Sequence, residues 1–219
     1  MLGTKLIQSG LYRTVILISV AVGGSSVHRW AAGGDLNTTM VAVIQAAKAR
    51  YTITGVLWDQ GATDFTLRTP EGQYRSDLKS LIDTIRAQGV RAPFFITRCS
   101  FGGEDWSENN PVSRAQASLA NSQHAIFDGP NTDHDVTPFD RYDGSHFSAS
   151  GQQKYTVAWI PLLRAHPGVE TQIDLGGQVR RGTLALRLHT SRRGPTIAPV
   201  LSARPPPWSV GVPPPSARR

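Results

Sequence analysis

"TVILISVAVGG", Thr14 to Gly24, is the stretch on which the fold turns. Lys5 and Arg13 precede it, as basic residues precede the apolar region of a secretory leader. It is too short to span a bilayer. β-Branched residues and leucine running unbroken into a glycine pair also describe a strand buried on both faces of a parallel sheet. The strand reading is adopted because the chain that follows keeps alternating between helical and extended patterns.

Leu36–Arg50 has helical spacing, with Asp35 placed as an N-cap. Thr52–Trp58 is rich in β-formers and is bounded by Gly61. Gln73–Gln88 puts Leu78, Leu81, Ile82 and Ile85 on one helical face, and Gly89 follows as its stop. Pro93–Thr97 reads as a strand and Pro111–Ser122 as a helix with proline in its first turn. Ala125–Phe127 reads as a short strand, and Ser148 caps a last helix running to Ala165. Strands separated by helices predict βαβ units and a mostly parallel sheet covered on both faces.

The net charge of +7 misleads as a whole-chain figure, because residues 167–219 carry eight arginines against Glu170 and Asp174. Residues 1–166 are close to neutral, so the body makes no electrostatic case for nucleic acid. No segment reaches transmembrane length, so no membrane partner is expected. The single cysteine, Cys99, excludes a disulfide framework and a cysteine zinc site, and reads as a buried, inert thiol. Residues 167–219 hold nine of the fifteen prolines and no lysine, with no sustained period, and are expected to be a disordered tail. Its "PPPW" and "VPPPSARR" runs suit a polyproline II ligand, and an out-of-frame extension would have the same composition.

Functional groups of a parallel α/β sheet collect where strands end. Three such places stand out. "AVGGSS" (Ala21–Ser26) brings a glycine pair that exposes backbone N–H groups, although a glycine pair alone is usually a tight turn. "WDQGATD" (Trp58–Asp64) offers the Gln60 amide to a developing oxyanion, although a lone loop glutamine signals little. "YDGSHFS" (Tyr142–Ser148) spaces Asp143 three residues before His146, so the carboxylate could orient the imidazole as general base and then general acid. Asp-x-x-His alone is common and usually structural.

In this order the blocks resemble the SGNH/GDSL-type hydrolases, most closely their sialate O-acetylesterase-like, carbohydrate esterase branch, over roughly residues 2–165. Members carry an "AVGGTS" block, a "WHQGESD" block and a late "DGxHFS" block. This chain has "AVGGSS", Arg29–Trp30, "GVLWDQGATD" and "DGSHFS". The resemblance implies a flavodoxin-like three-layer αβα fold over residues 1–166 with sheet order 2-1-3-4-5, and removal of acyl groups from an acylated carbohydrate or small ester. It implies His146 as base, Asp143 as its support, and Gly23 or Gly24 with Gln60 as oxyanion donors. It implies no metal and no cofactor.

Two departures accompany the resemblance. Asp59, Ala62 and Thr63 replace the family's His, Glu and Ser around Gln60, which would retune or disorder that loop. The family's nucleophile belongs to a "GQSN"-like block ending a strand upstream of "AVGG", and only about twenty residues precede "AVGG" here. Ser9 in "IQSG" ends a helix rather than following a strand, and Ser25 and Ser26 lie on the oxyanion loop, so no nucleophile is identified. The chain is therefore expected to be an N-terminally truncated member lacking the first strand, which would sit between Thr14–Val22 and Thr52–Trp58. Those two strands would then pair directly or leave an open edge. Two functional expectations follow: an ester hydrolase with weak or no turnover, or a non-catalytic relic that binds carbohydrate or another partner.

Overall fold

The computed structural model describes residues 1–102 and 105–167, and residues 183–189 as a backbone strand. The elements in chain order are α1 (Leu2–Gln8), β1 (Val15–Ser19), α2 (Asn37–Lys48), β2 (Gly55–Asp59), α3 (Ala62–Thr66), α4 (Glu71–Ala87), β3 (Phe94–Arg98), α5 (Pro111–Ser118), β4 (Ile126–Asn131), α6 (Thr132–Asp135), α7 (Ala149–Ala165) and β5 (Thr183–His189). The strands form one parallel sheet in the order β1-β5-β2-β3-β4.

Every residue of β2 is buried, as the apolar run requires of a central parallel strand. Its side chains alternate between two cores. Val56 and Trp58, with Phe94 and Ile96 of β3, face the layer holding Met40, Ile44, Tyr74, Leu78, Leu81 and Ile85 of α2 and α4. Leu57 and Phe95 face the opposite layer, with Leu2 and Leu6 of α1 and Tyr155, Trp159 and Leu163 of α7. This period of two, with both faces covered, is the expected three-layer arrangement. Thr14–Gly24 resolves as the strand β1 followed by a loop, and among the described residues no helix is long and apolar enough to cross a membrane.

Three expectations are corrected. Asp35 does not cap α2: it takes Arg29 in a bidentate pair, with Nε at 2.9 Å, because a charge-assisted fork outcompetes a cap bond. The "WDQGATD" loop is not disordered, since its second half winds into α3. The third correction concerns the sheet. Its position between β1 and β2 is filled, and β5 fills it, pairing Leu186 with Ile18 on one side and with Val56 on the other. The sequence "TLALRLH" alternates leucine at 184, 186 and 188 within the stretch expected to be disordered. Two strands with facing unpaired N–H and C=O groups accept such a segment, because an open ladder in a buried sheet is costly. The rest of the expected tail, residues 168–182 and 190–219, lies outside the described residues, as do its polyproline runs.

Candidate active site

The carboxyl ends of the parallel strands point the same way, so the segments that follow them share one edge of the sheet. Gly23–Ser26 follow β1, Gln60 to Asp64 follow β2, Cys99 to Phe101 follow β3, and Thr132 onward follow β4. Two of the sequence blocks are joined there by direct hydrogen bonds.

The glycine loop turns at Gly24, whose φ of 70° is a conformation glycine reaches without strain. Gly23 and Gly24 are exposed, and their N–H groups donate to none of the described residues. Ser25 is fully buried. Its hydroxyl donates to Val22 O at 2.8 Å and accepts from Trp30 Nε1 at 2.9 Å. The Ser25 carbonyl accepts from Gln60 Nε2 at 3.1 Å, and the Val27 amide donates to Asp64 Oδ2 at 2.8 Å. Gln60 Nε2 gives its other hydrogen to Asp64 Oδ2, while the Tyr74 hydroxyl, with one hydrogen to give, lies 2.7 Å from Gln60 O and 3.1 Å from Gln60 Oε1. Both Gln60 amide hydrogens are thus taken inside the protein. A bond from Gln60 to an oxyanion would require one of them to be released. Asp59 is buried beside Cys99, whose thiol pKa is pushed well up by burial and then by the neighbouring charges of Asp59 and Asp133.

The "YDGSHFS" block forms a tight turn closed by the bridge between Arg141 and Phe147 and by the Tyr142 amide donating to His146 O at 3.0 Å. Gly144 takes the left-handed corner, with φ 77°. Asp143 Oδ1 accepts from the backbone amides of Ser145 at 3.0 Å and His146 at 2.7 Å. Asp143 Oδ2 lies 2.6 Å from His146 Nδ1. These bonds, with the His146 amide first and its side chain next, hold the Asp143 pKa down at about 2. With Nδ1–H donating to a carboxylate, Nε2 is left as the acceptor, the tautomer a general base needs. Nε2 makes no hydrogen bond to any described residue. The exposed Tyr142 ring stacks beside the imidazole, 5.7 Å between centroids.

Arg141 ties this turn to the sheet. Its guanidinium lies over Phe101 at 4.1 Å and Phe147 at 4.9 Å, and Nη1 donates to Ser145 O at 2.5 Å. Asp133, on α6 just after β4, accepts from the amides of Ser100 and Phe101 and from the Ser100 hydroxyl, which fastens the loop after β3. Burial pushes the Asp133 pKa up.

The serines fall as follows. Ser9 caps the end of α1, its hydroxyl donating to Leu6 O at 2.9 Å. It precedes β1, so the strand itself, five residues or roughly 16 Å, separates it from the carboxyl edge. Ser25 is buried with its hydroxyl engaged, and Ser26 starts a single turn of 3-10 helix. None donates to His146. The sequence reading assigned no role to Asp64 or Arg141. Asp64 stood within a quoted block, but its partner Val27 is 37 residues away in the chain, and no local pattern reports such a contact.

No curated protein and no solved structure matches the chain. A family model described as carbohydrate esterase, sialic acid-specific acetylesterase, matches residues 2–158, which include all three blocks and every element from α1 into α7. The chain belongs to this family of sialic acid-specific acetylesterases among the carbohydrate esterases.

Proposed function

We propose that the chain presents the acid–base and anion-binding side of an O-acetylesterase site for acetylated carbohydrate. The observation that carries this reading is the 2.6 Å bond between Asp143 and His146 Nδ1, with Nε2 free of any described partner. In such a site Nε2 takes the proton of the attacking hydroxyl as the new acyl C–O bond forms. It returns that proton to the sugar oxygen as the old ester C–O bond breaks, and Asp143 stabilises the imidazolium between the two events. The amides of Gly23 and Gly24, which donate to none of the described residues, are the natural donors to the developing oxyanion. Tyr142 offers an exposed aromatic face beside the base, suited to the apolar face of a sugar ring.

Two observations limit the turnover this chain supports. No described serine hydroxyl contacts His146, and the Gln60 amide is already engaged. The expected activity is therefore weak or absent hydrolysis with retained binding of acetylated carbohydrate. The same observations favour the second reading, a non-catalytic carbohydrate-binding member. Hydrolysis of p-nitrophenyl acetate and of an O-acetylated sialic acid, with calorimetric titration of the acetylated sugar, separates the two. Turnover lost in His146→Ala supports the esterase. Binding with no turnover in either protein supports the binding member, and neither binding nor turnover rejects both.

A further inference from the structure

We propose that Asp64 is the positioning residue of this site, clamping the glycine loop to the Gln60 loop and fixing the orientation of the buried Gln60 amide. The inference rests on the reading of those two loops as the anion-binding side. Asp64 is 1% exposed on α3, and each of its oxygens is engaged. Oδ2 accepts from the Val27 amide and from Gln60 Nε2, and Oδ1 accepts from Thr69 Oγ1 at 2.9 Å. The Thr69 amide also donates to Asp64 O at 2.9 Å, closing the turn after α3. Among the described residues no cation pairs with Asp64. The titratable groups facing it are Tyr74 and Asp77 of α4, and Asp77 in turn pairs with the exposed His28 at 3.2 Å.

The donor pattern dictates the chemistry. Oδ2 meets two N–H groups, so a proton on Asp64 can reside only on Oδ1, where the Thr69 hydroxyl can rotate to accept it. An ionised Asp64 and the Ser25 carbonyl both demand the NH2 edge of Gln60. A neutral Asp64 is a weaker acceptor and loosens the clamp. Burial shifts the pKa of this carboxyl upward from the ordinary aspartate value.

Asp64→Asn reproduces the neutral state: its oxygen can take the place of Oδ2 and its amide can donate to Thr69. Asp64→Ala removes the clamp. The test is amide hydrogen exchange at Val27 by NMR from pH 4 to pH 8, with Phe95 as a core reference and the Gln60 side-chain amide shifts recorded alongside. Val27 protection should fall at least about tenfold in Asp64→Ala relative to Phe95. In the unaltered protein the Gln60 amide shifts should titrate with a midpoint above the ordinary aspartate value, and in Asp64→Asn they should be flat. Equal losses at Val27 and Phe95, or the same Gln60 titration in Asp64→Asn, would overturn the proposal. Should Asp64→Ala not fold, the Asp64→Asn titration decides alone. Neither readout depends on turnover, so a failure of the clamp and a failure of the esterase reading are told apart.

Discussion

Gln60 Nε2 donates to the backbone carbonyl of Ser25 at 3.1 Å, joining segments 35 residues apart at the carboxyl edge of the sheet. The bond is buried, and its partner hydrogen goes to Asp64, so the Gln60 NH2 group faces acceptors only. Gln60→Glu keeps the shape and replaces both donors with an acceptor. It should cost about 2 kcal/mol or more at pH 7, because the new carboxylate confronts a carbonyl and a second carboxylate. Part of the loss should return as the pH falls and one of the two carboxyls gains a proton and becomes a donor. Thermal melts at pH 7 and below check this.

Asp143 makes an acid-stability prediction. Its folded-state pKa, about 2, lies below the ordinary aspartate value. A depressed carboxylate contributes stability above its unfolded pKa of about 4 and loses it as pH falls through the folded value. Asp143→Asn should therefore be less stable at pH 7, and its melting temperature should fall less between pH 5 and pH 2. An identical pH dependence in both proteins would count against the dyad.

Arg141 should not be replaceable by lysine. Its planar group lies over Phe101 and Phe147 while donating to Ser145 O, and a point charge cannot do both. Arg141→Lys should lose about 1–2 kcal/mol. Residues 141–147 should exchange their amide hydrogens faster, while β3 stays protected. Hydrogen-exchange mass spectrometry gives both readings.

Strand β5 is tested by Leu186→Pro. The substitution removes a ladder donor where Leu186 stands in register with both Ile18 and Val56. Protection of Val15–Ser19 should drop, while β3, held by β2 and β4, keeps its own. Unchanged exchange in β1 would mean that another segment fills the slot.

Much of this was legible in the chain. Val56 to Trp58 and Phe94 to Ile96 are continuous apolar runs, so their burial on both faces follows from composition alone. The Asp143–His146 pair was legible because a three-residue spacing around Gly144 leaves few geometries. Strand β5 was not, because arginine and proline around Thr183–His189 swamp a short alternation, and a strand inserted between two others depends on their open ladders. The hydrogen bonds of Gln60 were not legible either. Their acceptors, Ser25 O and Asp64, meet only after the sheet has brought two loops together.

The most direct test is hydrolysis of p-nitrophenyl acetate by the purified chain and by His146→Ala. Turnover above the buffer rate should stay well below the ordinary enzymatic value of about 10 per second, and His146→Ala should remove it. Turnover that survives His146→Ala would contradict the assignment of His146 as the base.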